Sequence, residues 1–351
     1  MVLPVTFITP KPINAVPGSI PKMIFSVANC RIFQGVKSLW NKSKHFLVPA
    51  IKIAVTVTCI LLILYQWKQR PLEFETVWSS LENLPWYIIP VMILCSLSSW
   101  LVESKKWLFL IREFWELRFR TSTRLSINFY VDSLLESVIQ NLTAQAASYI
   151  TPFRAGEFIT KASFFPSNIR KEIAGRVWIG NLSQLFITVV LGLLGSHYIL
   201  DTLHISFMIY MVVLLLFLLI VLFGIWVFRK WKITMIPARQ LLVITSFSLL
   251  RYVFFAINWI IILKALDYTD SVVLIAQKTA VMYLLFSIIP VVQLLDIPVR
   301  WTAAAFVFSG SLMPNELIII ATTLVWFTNS VLPTTIGALL FPFNTFKLAT
   351  E

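Results

Sequence analysis

Three observations predict an all-α, polytopic membrane protein. Of the 351 residues, 58% are apolar and only 13% are charged, about half the charge that a soluble domain carries. The apolar residues come in unbroken blocks such as Val212–Phe228, not in the ten-residue alternation of a β-barrel strand. The blocks run about 17–25 residues, enough to cross about 30 Å of hydrocarbon at 1.5 Å per residue.

Six full spans are read at 49–66, 86–102, 174–195, 206–228, 241–264 and 317–341. Two further apolar stretches, 127–165 and 272–312, are interrupted. Charge decides whether these two cross. Net charge is +13, with 29 Lys and Arg against 16 Asp and Glu, and basic residues collect on the cytoplasmic side. Were both stretches ordinary spans, the basic segment at 150–172 (Arg154, Lys161, Arg170, Lys171) would lie outside. The acid-free loop at 229–240 (Arg229, Lys230, Lys232, Arg239) would join it, while 196–205, with no Lys or Arg, would lie inside. That reverses the expected bias. If 127–165 instead enters from the cytoplasm and returns, both basic segments become cytoplasmic, and 196–205 becomes external with the turn at Asp267 and Asp270. A second re-entrant hairpin at 272–312, from the outer side, returns Lys347 and the carboxyl terminus to the cytoplasm.

About eight membrane segments result. Repeat one (49–195) and repeat two (206–341) each read span, span, hairpin, span, in opposite orientation, as in transporters built from inverted repeats with broken helices. The amino-terminal residues 1–48 carry Lys11, Lys22, Arg31, Lys37, Lys42 and Lys44 and no acid. They read as a basic cytoplasmic tail, with Met23 as an alternative start and no signal-peptide pattern near Met1. Residues 342–351 form a second cytoplasmic tail, so the chain is expected in the cell (inner) membrane with both termini cytoplasmic.

Several chemistries find no foothold. No soluble basic domain exists to bind nucleic acid. Cys30, Cys59 and Cys95 lie far apart, and His45, His197 and His204 form no metal motif, so neither a metal nor a cofactor is expected. There is no nucleophile–base spacing, HExxH or Asp-rich phosphate motif, and an enzyme is not expected.

The first hairpin holds Ser148–Lys161, SYITPFRAGEFITK. Pro152 cannot continue a helix and turns Thr151 away from helical backbone, while Gly156 permits close approach or positive φ. A second helix is expected from near Glu157 to Phe164. Asp132, Glu136 and Gln140 recur at i, i+4 on one face, and Glu157 and Lys161 share the same spacing. Each charge facing lipid at mid-bilayer costs roughly 2.5–3.5 kcal/mol. Asp132, Glu136, Arg154, Glu157 and Lys161 must therefore pair, face a cavity or lie near the interface. Two compatible readings remain open. Internal ion pairs, such as Arg154 with Glu136 or Asp132, hold the hairpin shut, or a polar cavity takes a charged headgroup with Arg154 against its phosphate.

The second hairpin holds Ile288–Trp301, IIPVVQLLDIPVRW, with Pro290 and Pro298 around Gln293, Asp296 and Arg300. Asp296 and Arg300, at i, i+4, either pair locally or line the same cavity from the opposite side. Arg251 in the span 241–264 needs an acidic or carbonyl partner. Arg176, Asn181 and Gln184 lie within the apolar segment 174–195, and the lone Asn and Ser residues in spans, such as Asn181, Asn258, Asn329 and Ser330, read as glue between helices. Trp67, Trp86, Trp226 and Trp231 read as interfacial anchors.

At these residues the chain resembles the flippase-like transmembrane family named for the membrane half of lysylphosphatidylglycerol synthases, over about residues 49–341. Trp107–Leu110 after Lys105 and Lys106 resembles the family's basic-Trp segment ending its second span. Asn141 followed by Thr151, Pro152, Phe153, Arg154, Ala155, Gly156 and Glu157 resembles its Pro-Gly-Arg-x-Gly-Glu signature. Pro290 to Arg300 resembles its second Pro-containing segment, and Asn329, Pro333 and Gly337 resemble its last span. The chain departs from the pattern at Phe153, Asp296 and Trp301, and Gly180-Asn181 replaces the acid–base pair often found after the first hairpin. The resemblance covers the membrane part only, and with no aminoacyl-transfer domain in this sequence, lipid aminoacylation alone is not expected.

The expected function is a lipid translocator. A polar or anionic headgroup, on a membrane lipid with acyl or prenyl tails, would pass between the hairpins. Asp132, Glu136, Asn141, Thr151, Arg154, Gly156, Glu157, Lys161, Arg251, Asp296 and Arg300 would form the substrate site. The other class considered is a non-transporting partner or scaffold for a lipid- or glycan-modifying enzyme.

Overall fold

The structure, a computed structural model, describes residues 57–58, 61, 74–119, 133–151, 154–197, 237–288, 296–308 and 315–345, and every regular element among them is helical. The tail 1–48, the span 206–228, nearly all of 49–66, and Asp132, Pro152, Phe153, Pro290 and Gln293 lie outside the described residues. All described residues belong to one compact unit, Lys52–Glu351.

A short helix α1 (Phe74–Glu82) precedes α2 (Ile88–Phe119). The first break separates α3 (Leu134–Ile150) from α4 (Ala155–Ser163), and α5 (Arg170–Gly195) follows. Next come α6 (Ala238–Ala265), α7 (Val272–Ile288) and α8 (Ile297–Phe308). The last stretch is α9 (Asn315–Trp326), a π-helical turn at Phe327–Val331, and α10 (Leu332–Thr345). Four stretches are long and apolar enough to cross a membrane: Ile88–Phe114, Arg170–Gly195, Ala238–Ala265 and Glu316–Phe343. They correspond to four of the six spans read from the sequence. The helices α4, with 9 residues, and α8, with 12, extend only about 14 and 18 Å at 1.5 Å per residue, too short to cross.

The 86–102 reading ends too early. Helix α2 continues through Glu103, Lys105 and Lys106 to Phe119, because Glu103 and Lys106 lie buried against each other and against α6 and do not interrupt the apolar surface.

Local chemistry accounts for the first break. The Ser133 hydroxyl caps α3 by accepting from the Glu136 N–H at 3.2 Å. Thr151 ends the helix in extended backbone, as expected before a proline. Its Oγ1 donates to the Ala147 carbonyl at 2.9 Å and accepts from the Gly156 N–H at 2.8 Å, tying the end of α3 to the start of α4. Arg154 takes the left-handed conformation, φ 56°. Gly156 keeps negative φ and is needed for close approach, since a Cβ there would collide with the Ala147 carbonyl. Pro298 falls in the first turn of α8, where its missing N–H costs no intrahelical bond.

Packing follows an exchange rule. If α2 is exchanged with α6, α3 with α7, α4 with α8, and α5 with the stretch α9–α10, the set of packed pairs maps onto itself. Helix α2 packs on α6, its own counterpart, α3 on α10 as α7 on α5, α3 on α4 as α7 on α8, and α4 on α5 as α8 on α9. Small residues mark the related contacts. A Cβ on Gly337 would overlap the Leu142 carbonyl of α3, while Gly192 and Gly195 of α5 admit Leu284 and the backbone of Gln277 and Ala280 in α7.

Two apolar cores obey the same rule. Trp107, Leu110, Ile111 and Phe114 of α2 pack with Ala162, Phe165, Ile173 and Val177, and Ile244 of α6 joins them. Trp259, Ile262 and Leu263 of α6 pack with Ala304, Phe308, Ile318 and Ala321, and Ile88 and Met92 of α2 join those.

Candidate functional site

The two breaks carry matching ion clasps. At the first, the Glu157 carboxylate meets Lys161 Nζ at 3.0 Å and Arg154 Nη2 at 3.1 Å. Asn181 of α5 donates to it at 3.2 Å. At the second, Arg300 donates through Nε and Nη2 to Asp296 Oδ2 at 3.0 and 2.9 Å. Trp326 of α9 donates to Asp296 Oδ1 at 2.9 Å. Each clasp is thus an acid at the start of a short helix, a base four residues on, and a donor from the following long helix.

A tryptophan from α2 and one from α6 complete the set. Trp107 donates to Gln140 of α3 at 2.9 Å, lies under the Lys161 ammonium, 4.7 Å from its centroid, and meets Phe165 edge-on. Trp259 donates to Tyr283 of α7 at 3.2 Å and stacks on Phe308. A pocket of about 10 Å³ lies between Trp259, Tyr283, Phe286, Arg300, Thr322 and Trp326, room for a single water.

A third ionic group lies where α2 crosses α6. Glu103 Oε2 pairs with Lys106 Nζ at 2.7 Å and with Arg251 Nη1 at 2.9 Å. Arg251 therefore has the acidic partner its position requires, and its guanidinium also lies over Trp100 and Phe255. Lys106 donates to the Gly180 carbonyl at 3.2 Å and lies 3.4 Å from the Ser248 hydroxyl. The adjacent residue is Asn181, which holds Glu157, so this group and the first clasp share an edge.

The expected site residues divide. Arg154, Glu157 and Lys161 come together, with Thr151 and Gly156 shaping the turn beneath them. Asp296 and Arg300 pair with each other in a separate clasp. Asn141 instead donates to the Ser104 hydroxyl of α2 at 3.2 Å and holds the hairpin to its neighbour. The suggested pairing of Arg154 with Glu136 is not observed. Glu136 begins α3, about 20 Å along the helix from the break, and Arg154 reaches Glu157 and the Gln145 side chain instead. Asp132 lies outside the described residues.

Glu103 and the ionic role of Lys106 escaped the sequence reading. A signal was present: Ser96, Ser99, Glu103 and Lys106 recur at three- and four-residue spacing along an apolar helix, and all are buried. Ser248, Arg251 and Asn258 form the opposing stripe on α6. Among the described residues no group of His, Cys, Asp and Glu is placed to hold a metal.

No family model, curated protein or solved structure matches this chain.

Proposed function

We propose that the chain is a lipid translocator of the flippase-like type, resident in the cell membrane with both termini cytoplasmic. In this reading six spans and two re-entrant hairpins form two inverted repeats. Three crossings per repeat are odd in number, so the second repeat must run opposite to the first. The observation that carries the reading is the matched pair of clasps, Glu157–Lys161–Asn181 and Asp296–Arg300–Trp326, at related breaks. Ionisable groups at membrane depth are costly and mark the paths of polar cargo. A polar or anionic headgroup would exchange partners with these clasps while its tails remain in lipid. Since the pocket at Arg300 has room for a water only, passage requires the hairpins to part, a motion of the microsecond-to-millisecond class.

Reconstitution in vesicles with headgroup-labelled lipids tests this. Translocation is expected from the wild type and is expected to fall at least tenfold in Arg154→Ala and Glu157→Gln. Equal rates in the variants would remove the site assignment.

The closed packing of the clasps favours a second reading, a non-transporting membrane partner of a lipid- or glycan-modifying enzyme. A stoichiometric enzyme in pull-downs, together with no lipid movement after reconstitution, would support it.

A further inference from the structure

We infer that the crossing of α2 and α6, beside the first break, holds a binding site for a phosphate group, assembled by Lys106, Arg251 and Lys161 with Arg154 at its mouth. The inference rests on the translocator reading and gives its substrate a chemical class. Its basis is charge balance. Glu103 and Glu157 are buried, and so are Lys106 and Lys161, with Arg251 nearly so. Lys106 donates to the Gly180 carbonyl of α5 and the next residue, Asn181, donates to Glu157, so the two ion groups adjoin along α5. Among the described residues, three cations thus face two carboxylates in a medium that tolerates no unbalanced charge. Arg154, 43% exposed, adds a fourth positive charge at the open edge. At the second break, by contrast, Asp296 meets Arg300, and nearby on α7 Lys278 meets Asp270. The surplus among the described residues therefore lies where α2 crosses α6, beside the Arg154 break.

Hydrogen bonding makes the same demand. The Nε–H groups of Arg154 and Arg251 are buried without an acceptor. The Ser183 and Ser248 hydroxyls, 2.8 Å apart, lie at the Lys106 ammonium, which is 3.4 Å from Ser248. An oxyanion with several acceptor oxygens satisfies a donor-rich, cation-rich site, and guanidinium and ammonium groups are the usual phosphate partners. A cationic headgroup would add to the surplus.

The full-length protein in maltoside micelles, which contain no phosphate, provides the test. Thermal unfolding is followed against added phosphatidylglycerol, diacylglycerol, a dialkyl trimethylammonium lipid and inorganic phosphate, since a ligand that binds only the folded state raises Tm with concentration. Phosphatidylglycerol is expected to raise Tm, and diacylglycerol and the cationic lipid to leave it unchanged. Lys106→Gln and Arg251→Gln should weaken the apparent affinity about tenfold or more. Lys106→Arg, which keeps the charge, should retain it, as should Arg239→Gln at an exposed position. Response to both phosphatidylglycerol and inorganic phosphate, or to the lipid alone, supports the inference and separates a phosphate site from a lipid-headgroup site. Equal response to diacylglycerol, or undiminished response in both Gln variants, overturns it. Phosphate-dependent binding without translocation in vesicles would sink the translocator reading and leave the site. Translocation of the cationic lipid at the same rate, with no phosphate response, would do the reverse.

Discussion

Arg154 sits in a backbone conformation that side chains other than glycine rarely adopt. The strain is held between two anchors, the Thr151 hydroxyl that spans the break and the Glu157 carboxylate that takes the guanidinium. Arg154→Gly should relax the backbone while removing the charge. It is expected to unfold at a temperature no lower than Arg154→Ala, with equally impaired lipid movement, which separates the role of the turn from that of the ion. Glycines give a sharper packing test. Gly337→Ala drives a methyl group into the Leu142 carbonyl and should cost about 1–3 kcal/mol or more. Gly175→Ala meets nothing within 4 Å and should be neutral or stabilising by up to about 1 kcal/mol. Unfolding in mixed micelles compares the two. Glu103→Gln leaves Lys106 and Arg251 facing each other without their shared carboxylate, and a loss of about 3–5 kcal/mol is expected. The local part of this chemistry was legible in the sequence, because Glu157–Lys161 and Asp296–Arg300 are each one helical turn apart. Partners from distant segments, Glu103 for Arg251 and Asn181 for Glu157, were not legible, since only the packing of α2, α5 and α6 brings them near.

At the scale of elements, the breaks were readable because proline and glycine act on the backbone wherever they stand. Pro152 and Gly156 located the turn between α3 and α4 to within two residues of where α4 begins. The end of α2 was misplaced because three charges in four residues look like a membrane boundary when their partners are unseen. The π turn at Phe327–Val331 had no sequence signal beyond Asn329 and Pro333. Its Thr328 and Asn329 carbonyls accept from the Ser96 hydroxyl at 2.7 Å and the Trp100 indole at 3.3 Å. Asn258 donates to the Asn329 side chain at 3.2 Å. Irregular backbone inside an apolar layer survives through such donors. Asn258→Ala is therefore expected to cost about 0.6–1.7 kcal/mol in the same unfolding measurement, and Ser96→Ala a comparable amount.

For the whole molecule, the charge bias of the loops led to the inverted-repeat proposal without any visible identity between the halves. The exchange rule among packed helices adds an observation of a different kind, because helix contacts do not depend on where Lys and Arg lie. Two halves related by exchange, each with an odd number of crossings, place corresponding turns on opposite faces of the membrane. Under the proposed three crossings per half, the turn after α4 and the turn after α6 are on opposite sides, the former cytoplasmic and the latter external. Eight simple crossings reverse both assignments. In a background without Cys30, Cys59 and Cys95, Asn168→Cys and Thr269→Cys place single thiols at exposed positions in these turns. Labelling of sealed, intact cells with a membrane-impermeant maleimide is predicted to tag position 269 and to spare position 168 until the membrane is opened. Tagging at 168 from outside, with 269 protected, would contradict the arrangement of two opposed hairpins.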